Sequence, residues 1–267
     1  MEEFKLFLLK QNLSEKTIES YIFSVERYLK LNNNRVSKKR VLEYKTYLIE
    51  NFSPKTANLR MQALNKYLDF IERPQLKVRF IKVQQKNFLE NVISDADYTF
   101  LKTQLKKDNK MDWYFVVRYL CATGARVSEL VQLKFEHVLK GYYDIYSKGG
   151  KVRRLYIPEK LQEETLEYFG DKNRANGYLF LNKDRRKITT RGIATQLKLM
   201  AKFYGINPEV VYPHSFRHRF AKNFLENYND ISLLADLMGH ESIETTRIYL
   251  RRTSTEQQEI VNKVVIW

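Results

Sequence analysis

Histidine is scarce in this chain, with four residues among 267, and two of the four fall in one basic stretch, PHSFRHRFA. There the segment HSFR sets His214 and Arg217 at i and i+3, so on a helix both side chains face the same small anion. A second stretch, CATGARVSEL, breaks a helix at Thr123-Gly124 and places Arg126 at the start of the next, with Glu129 three positions on and able to reach back to that turn. A third, LMGHESIETTRIYL, stops a helix at Gly239, presents His240, and sets Tyr249 nine residues later. The turn Lys148-Gly149-Gly150-Lys151 adds two lysines able to reach into a groove. These residue types suit chemistry on a phosphodiester. Such a reaction needs a nucleophile, cations to stabilise charge building on the phosphoryl oxygens, and an acid for the departing oxygen. Arginine fits the second role because its planar fork binds two phosphate oxygens and stays charged at any working pH. A tyrosine could be the nucleophile if nearby cations favour the phenolate.

Each stretch also has a plainer reading. Arg126 could simply pair with Glu129 on a surface helix, the basic helix could rest on nucleic-acid backbone or in solvent, and a turn lysine is usually solvated. Tyrosine is common here, 18 in all.

The bulk composition narrows the partners. Forty-seven Lys+Arg against 31 Asp+Glu give a formal charge of +16, a surplus that calls for a polyanion, nucleic acid first. Cys121 is the single cysteine, so neither an intramolecular disulfide nor a multi-cysteine zinc site can form. His214 and His218 have the i, i+4 spacing of a zinc pair but lack an evident third ligand, so no metal or other cofactor is expected. The apolar stretch WYFVVRYLCATGA is interrupted by Arg118, and the opening MEEFKLFLLKQNLSEK carries acids where a secretory signal carries bases. A cytoplasmic protein with no membrane partner is expected.

The elements that must position these residues can be read from periodicity. Helices are expected after Ser14, with Ile18, Ile22, Val25 and Leu29 on one face; from Ser37 to about Glu50; and after Ser53-Pro54, with Met61, Leu64, Leu68 and Ile71 in a stripe. Together these make a small helical bundle over residues 1–73. A basic, proline-containing segment at 74–88 reads as a linker to a second domain, 89–267. Half of the positive surplus lies in the first third of the chain. The second domain is mostly helical, with one hairpin, Tyr142–Tyr146 and Arg153–Ile157, around the lysine turn. Further helices are expected at Leu161–Tyr168, Thr190–Tyr204 and Ser215–Tyr228, and a short one after Asp230.

Taken together the motifs resemble those of the tyrosine recombinase and phage-type integrase family, in order and spacing as well as residue type. The family pattern Arg, Lys, His-x-x-Arg, His or Trp, Tyr is matched by Arg126, Lys148, His214 with Arg217, His240 and Tyr249. Lys151 is the alternative to Lys148. The run LSEKTIESYIFSVERYL is similar to the family's core-binding domain, and the short length and domain order look most like compact Xer-type recombinases and small mobile-element integrases. The resemblance implies a mainly α, two-domain fold: a SAM-like helical core-binding domain, then a mixed α/β catalytic domain of the DNA breaking-rejoining type with a small antiparallel sheet. It also implies cleavage and rejoining of double-stranded DNA at a recombination site through a 3′-phosphotyrosine, without metal or ATP, by a prokaryotic, nucleoid-associated protein. The chain would act as a homo-oligomer on DNA, a dimer per site and a tetramer in synapsis, joined by the apolar C-terminal tail IVNKVVIW. Lys16, Lys55 and Arg60, with Lys151, are expected DNA contacts. Two other roles on the same fold stay open, a catalytically silent DNA-binding regulator and a type IB topoisomerase.

Overall fold

Serine side chains start three helices of the N-terminal unit. The computed structural model describes residues 1–82, 91–146, 152–170, 177–250 and 254–266, and its contacts divide the chain into Met1–Gln85 and Lys86–Trp267. In the first unit Ser14, Ser37 and Ser53 accept the backbone N–H of Thr17, Arg40 and Thr56, satisfying donors that a helix start leaves unpaired, each cap contributing roughly 0.5–2 kcal/mol. They open α2 (Glu15–Leu31), α3 (Lys38–Asn51) and α4 (Pro54–Phe70). A further helix, α1 (Glu2–Lys10), precedes them and buries Phe4 and Leu8.

The buried face of α2 is Ile18, Tyr21, Ser24, Val25 and Tyr28, with Ile22 and Leu29 only partly covered. The expected aliphatic stripe is therefore turned by about one residue, because the two tyrosines bury more area than the aliphatics beside them. Met61, Leu64 and Leu68 of α4 are buried as their spacing predicts. The start of the segment read as a linker is folded: Pro74–Leu76 forms a 3-10 turn, Val78 enters the core, and Asn65 and Asn58 each exchange two backbone hydrogen bonds, with Val78 and Ile81.

In the second unit α5 (Asp95–Lys107) packs on α6 (Met111–Thr123), which is buried almost all round through Tyr114, Phe115, Val116, Val117, Tyr119 and Leu120. α6 ends at Gly124, whose φ of +62° an L side chain rarely adopts and whose missing Cβ leaves room for the Phe220 ring. Short helices α7 (Val127–Leu130) and α8 (Phe135–Lys140) lead into β1 (Tyr142–Tyr146) and β2 (Val152–Tyr156), an antiparallel pair with Tyr142 opposite Tyr156 and Asp144 opposite Arg154. Arg154 binds Asp144 through two hydrogen bonds of 2.8 and 2.9 Å. Then come α9 (Glu159–Gly170), α10 (Thr190–Phe203), α11 (Pro213–Asn227), α12 (Ile231–Met238), α13 (Ile243–Arg247), a 3-10 turn at Ile248–Leu250 that carries Tyr249, and α14 (Ser254–Val264). A small apolar cluster, Ala221, Leu225, Leu234, Met238 and Tyr249, fastens α11, α12 and the tyrosine turn together.

Candidate active site

The site is organised by the C-terminus of α12. Gly239, at φ +61°, reverses the chain so that the His240 N–H returns to the Ala235 carbonyl and the Gly239 N–H to that of Asp236. The next three carbonyls are each taken by an arginine from a different element. Arg153 of β2 donates to Leu237, Arg217 of α11 to Met238 at 2.6 Å, and Arg126, just before α7, to Gly239 at 3.0 Å. A helix C-terminus concentrates partial negative charge on its unpaired carbonyls, so three guanidinium groups can gather there despite their mutual repulsion.

Glu129 adds a full charge to that balance. Its Oε2 accepts the Arg126 backbone N–H at 2.7 Å and also pairs with Arg153, while its Oε1 accepts the Arg126 side chain at 2.9 Å. Arg217 is buried to 1% exposure and is anchored at its other nitrogen by the Gly124 carbonyl at 2.5 Å. Burial first and the neighbouring Arg126 second bring its pKa down to about 10, so it stays charged at neutral pH. Arg126 is the most accessible of the three, and with Arg153, Arg154 and His240 it lines a cleft of about 1000 Å³.

His240 Nε2 lies 3.1 Å from Arg217 and Nδ1 lies 2.8 Å from the Thr246 hydroxyl. A guanidinium only donates, so Nε2 accepts and the ring proton sits on Nδ1, directed at Thr246. Burial, then Arg217, Arg126 and Arg153, depress the His240 pKa to about 4. Burial, then Arg217 and Arg126, hold His214 below its ordinary value, and burial with His214 and Arg217 takes His218 to about 4. All three imidazoles are neutral at pH 7.

Tyr249 is 5% exposed, its ring stacked with His240 at 6.1 Å and tilted against His218 at 5.4 Å. Burial raises its pKa, while the charge of Arg217, a hydrogen bond to it, and Arg126 pull the other way. The structure thus brings Arg126, Arg217, His240 and Tyr249 together, with His214 one turn before His218 and stacked on it at 5.8 Å. Lys148 and Lys151 lie outside the described residues. Lys16 and Lys55 are exposed in the first turns of α2 and α4. Arg60 instead lies over the Phe52 ring at 3.9 Å with Nη1 buried, a packing arrangement within the bundle. Arg153 and Thr246 escaped sequence reasoning. The signal for Arg153 was strand alternation, which puts it on the same face as the buried Leu155.

Residues 91–256 match the model of the phage integrase family. The chain belongs to that family. Its members are the tyrosine-type site-specific DNA recombinases, and this chain is one of them. It is 29% identical to tyrosine recombinase XerA of Pyrococcus furiosus over 98% of this chain and 93% of the relative, and 28% identical to tyrosine recombinase XerD of Rickettsia conorii over 92% and 91%. Among solved structures it is similar to XerH recombinase bound to a palindromic difH substrate after cleavage, with a TM-score of 0.70 over 96% of this chain and 81% of the other at 20% identity, a likeness of fold. The two-unit helical architecture with its one small antiparallel sheet among the described residues is the integrase architecture that the sequence motifs imply. No helix among the described residues is long and apolar enough to cross a membrane.

Proposed function

We propose that this tyrosine recombinase cuts and rejoins duplex DNA with Arg126, Lys148, His214, Arg217, His240 and Tyr249 as its catalytic set. The Tyr249 phenolic oxygen attacks the scissile phosphorus, the bond to the 5′ oxygen breaks, and a 3′-phosphotyrosine forms. His214 accepts the phenolic proton and Lys148 supplies one to the departing 5′-hydroxyl. Arg126 and Arg217 hold the two non-bridging oxygens, each contributing roughly 3–4 kcal/mol to the transition state, by analogy with one oxyanion-hole donor. His240 bonds to the phosphoryl group once its ring proton moves to Nε2, a change that Thr246 permits because its hydroxyl can donate as well as accept. The phosphotyrosine conserves the energy of the phosphodiester, so a 5′-hydroxyl from another duplex reverses the step without ATP.

The observation that carries this reading is the row of guanidinium groups on the α12 carbonyls beside a tyrosine that Arg217 already contacts. Lys16 and Lys55 are DNA contacts of the first unit, and Lys151 one of the second. The tail supports a homo-oligomer: Val261, Val264 and Ile266 are 50, 58 and 86% exposed, an apolar surface suited to a second copy of the chain. Incubation with a nicked half-site that traps the intermediate tests the proposal. A protein–DNA adduct stable to denaturation, absent from Tyr249→Phe, is the expected result. No adduct with the native chain, or an undiminished one in Tyr249→Phe, overturns it.

A further inference from the structure

We infer that Arg153 is a positioning residue of the recombination site, holding Arg126 and the Gly239–His240 turn in the arrangement that receives the phosphate. The inference rests on the recombinase reading and adds to it a residue outside the six motif positions. Arg153 stands on β2 with its side chain 11% exposed, reaching the Glu129 carboxylate with one nitrogen and the Leu237 carbonyl with another. Glu129 is the group that binds Arg126 twice, through backbone and side chain. Arg153 therefore holds Glu129 Oε2, the oxygen that also accepts the Arg126 backbone N–H, and with that oxygen fixed the carboxylate directs Oε1 to the Arg126 fork. The Leu237 contact ties the same guanidinium to the carbonyl two residues before Gly239, whose own carbonyl Arg126 holds. One side chain thus spans the two segments that present Arg126 and His240, and links both to the hairpin.

The fit at Gly239 supports this. The Arg153 side chain lies over Gly239 so closely that a Cβ there would run into its Cδ and Nε. The Arg153 Nε–H is buried without a hydrogen-bond partner among the described residues. An apolar side chain would fill the same space without that desolvation, so what the guanidinium supplies is orientation. Its two terminal nitrogens are engaged by the Leu237 carbonyl and the Glu129 carboxylate, so it acts through Glu129 and the α12 terminus.

The test compares the native chain with Arg153→Gln, Arg153→Lys, Arg126→Lys and the double variant Arg153→Gln/Arg126→Lys, reading single-turnover adduct formation on the trapped half-site, DNA affinity and thermal melting. Loss of the strut misplaces Arg126 by a fraction of an ångström or more, so Arg153→Gln is expected to slow adduct formation by about 10²-fold. DNA affinity should stay within about threefold, because the many other phosphate contacts remain. Arg153→Lys, which keeps the charge but not the two-sided fork, should fall between. The decisive readout is coupling. Arg126→Lys should cost far less in the Arg153→Gln background than in the native chain, since a misplaced Arg126 has little left to lose. A merely stabilising role would give additive losses that follow the melting temperature. Should Arg153→Gln not fold, the Arg153→Lys rate decides. A native adduct with Arg153 variants cleaving at the native rate, or additive losses, overturns the assignment and leaves the recombinase reading intact; no adduct from the native chain overturns both.

Discussion

Replacing Arg217 with lysine isolates the geometry of the phosphate clamp from its charge. The arginine is fully enclosed, with separate nitrogens on the Gly124 and Met238 carbonyls and a further bond to His240, so two of its five N–H groups remain for the Tyr249 oxygen and an incoming phosphate. A lysine ammonium keeps the charge but, as a single point, cannot span both carbonyls and present a flat pair of donors as well. One buried carbonyl then loses its partner, at a cost of about 1–3 kcal/mol. For a unit of this size that lowers the melting temperature by roughly 2–12 °C. The chemical step loses more: one misplaced donor to developing charge costs about 3–4 kcal/mol, roughly 10²–10³ in rate. DNA affinity changes little. The assay is single-turnover adduct formation on a trapped half-site, with affinity and melting measured alongside. A folded Arg217→Lys that cleaves within about threefold of the native rate, or whose loss lies wholly in DNA affinity, refutes the clamp. Alanine is the poorer probe, since it strands two carbonyls and empties a buried volume at once.

Two further outcomes follow from the charges. His218 and His240 are held neutral, with pKa values near 4 against an ordinary value of 6.5, so the unfolded chain binds more protons than the folded one between those limits. Stability conferred by these neutral rings is therefore complete above about pH 6.5 and declines as pH falls toward 4; urea unfolding at pH 7 and pH 5 should show it, and the fall should shrink in His218→Gln, whereas equal stability of the native chain at both pH values would contradict the assigned neutrality. Binding should also weaken steeply with salt: with about 6–10 phosphate contacts, affinity drops roughly 10³–10⁵ between 50 and 200 mM. A nearly flat titration would remove DNA backbone neutralisation as the reason for a charge of +16.

Much of this protein was legible before any coordinates. Serine caps, the Ser53-Pro54 start and the Gly239 stop are local signals, settled by groups within four residues of each other, and they mark helices that the structure contains. The same locality explains why His214 and Arg217 could be assigned to one helix and why Glu129 could be paired with Arg126 across three positions. The helix α1 was missed because its apolar residues, Phe4, Leu6, Phe7, Leu8 and Leu9, run nearly together and so mark no single face, and no side chain caps its start.

What the chain order could not disclose was how charges of the same sign come to share one small volume. Arg126, Arg153 and Arg217 lie on three separate elements, and nothing in their spacing says that they meet at successive carbonyls of α12. That meeting depends on the packing of α11 and β2 against α12, since a helix terminus attracts guanidinium groups only when other elements bring them within reach and desolvate them. Residue types and order established that phosphate chemistry was possible and which family performs it. Tertiary structure alone decided which cations are free to bind and which are tethered, because the fold, and not the sequence, determines how much water each charge retains.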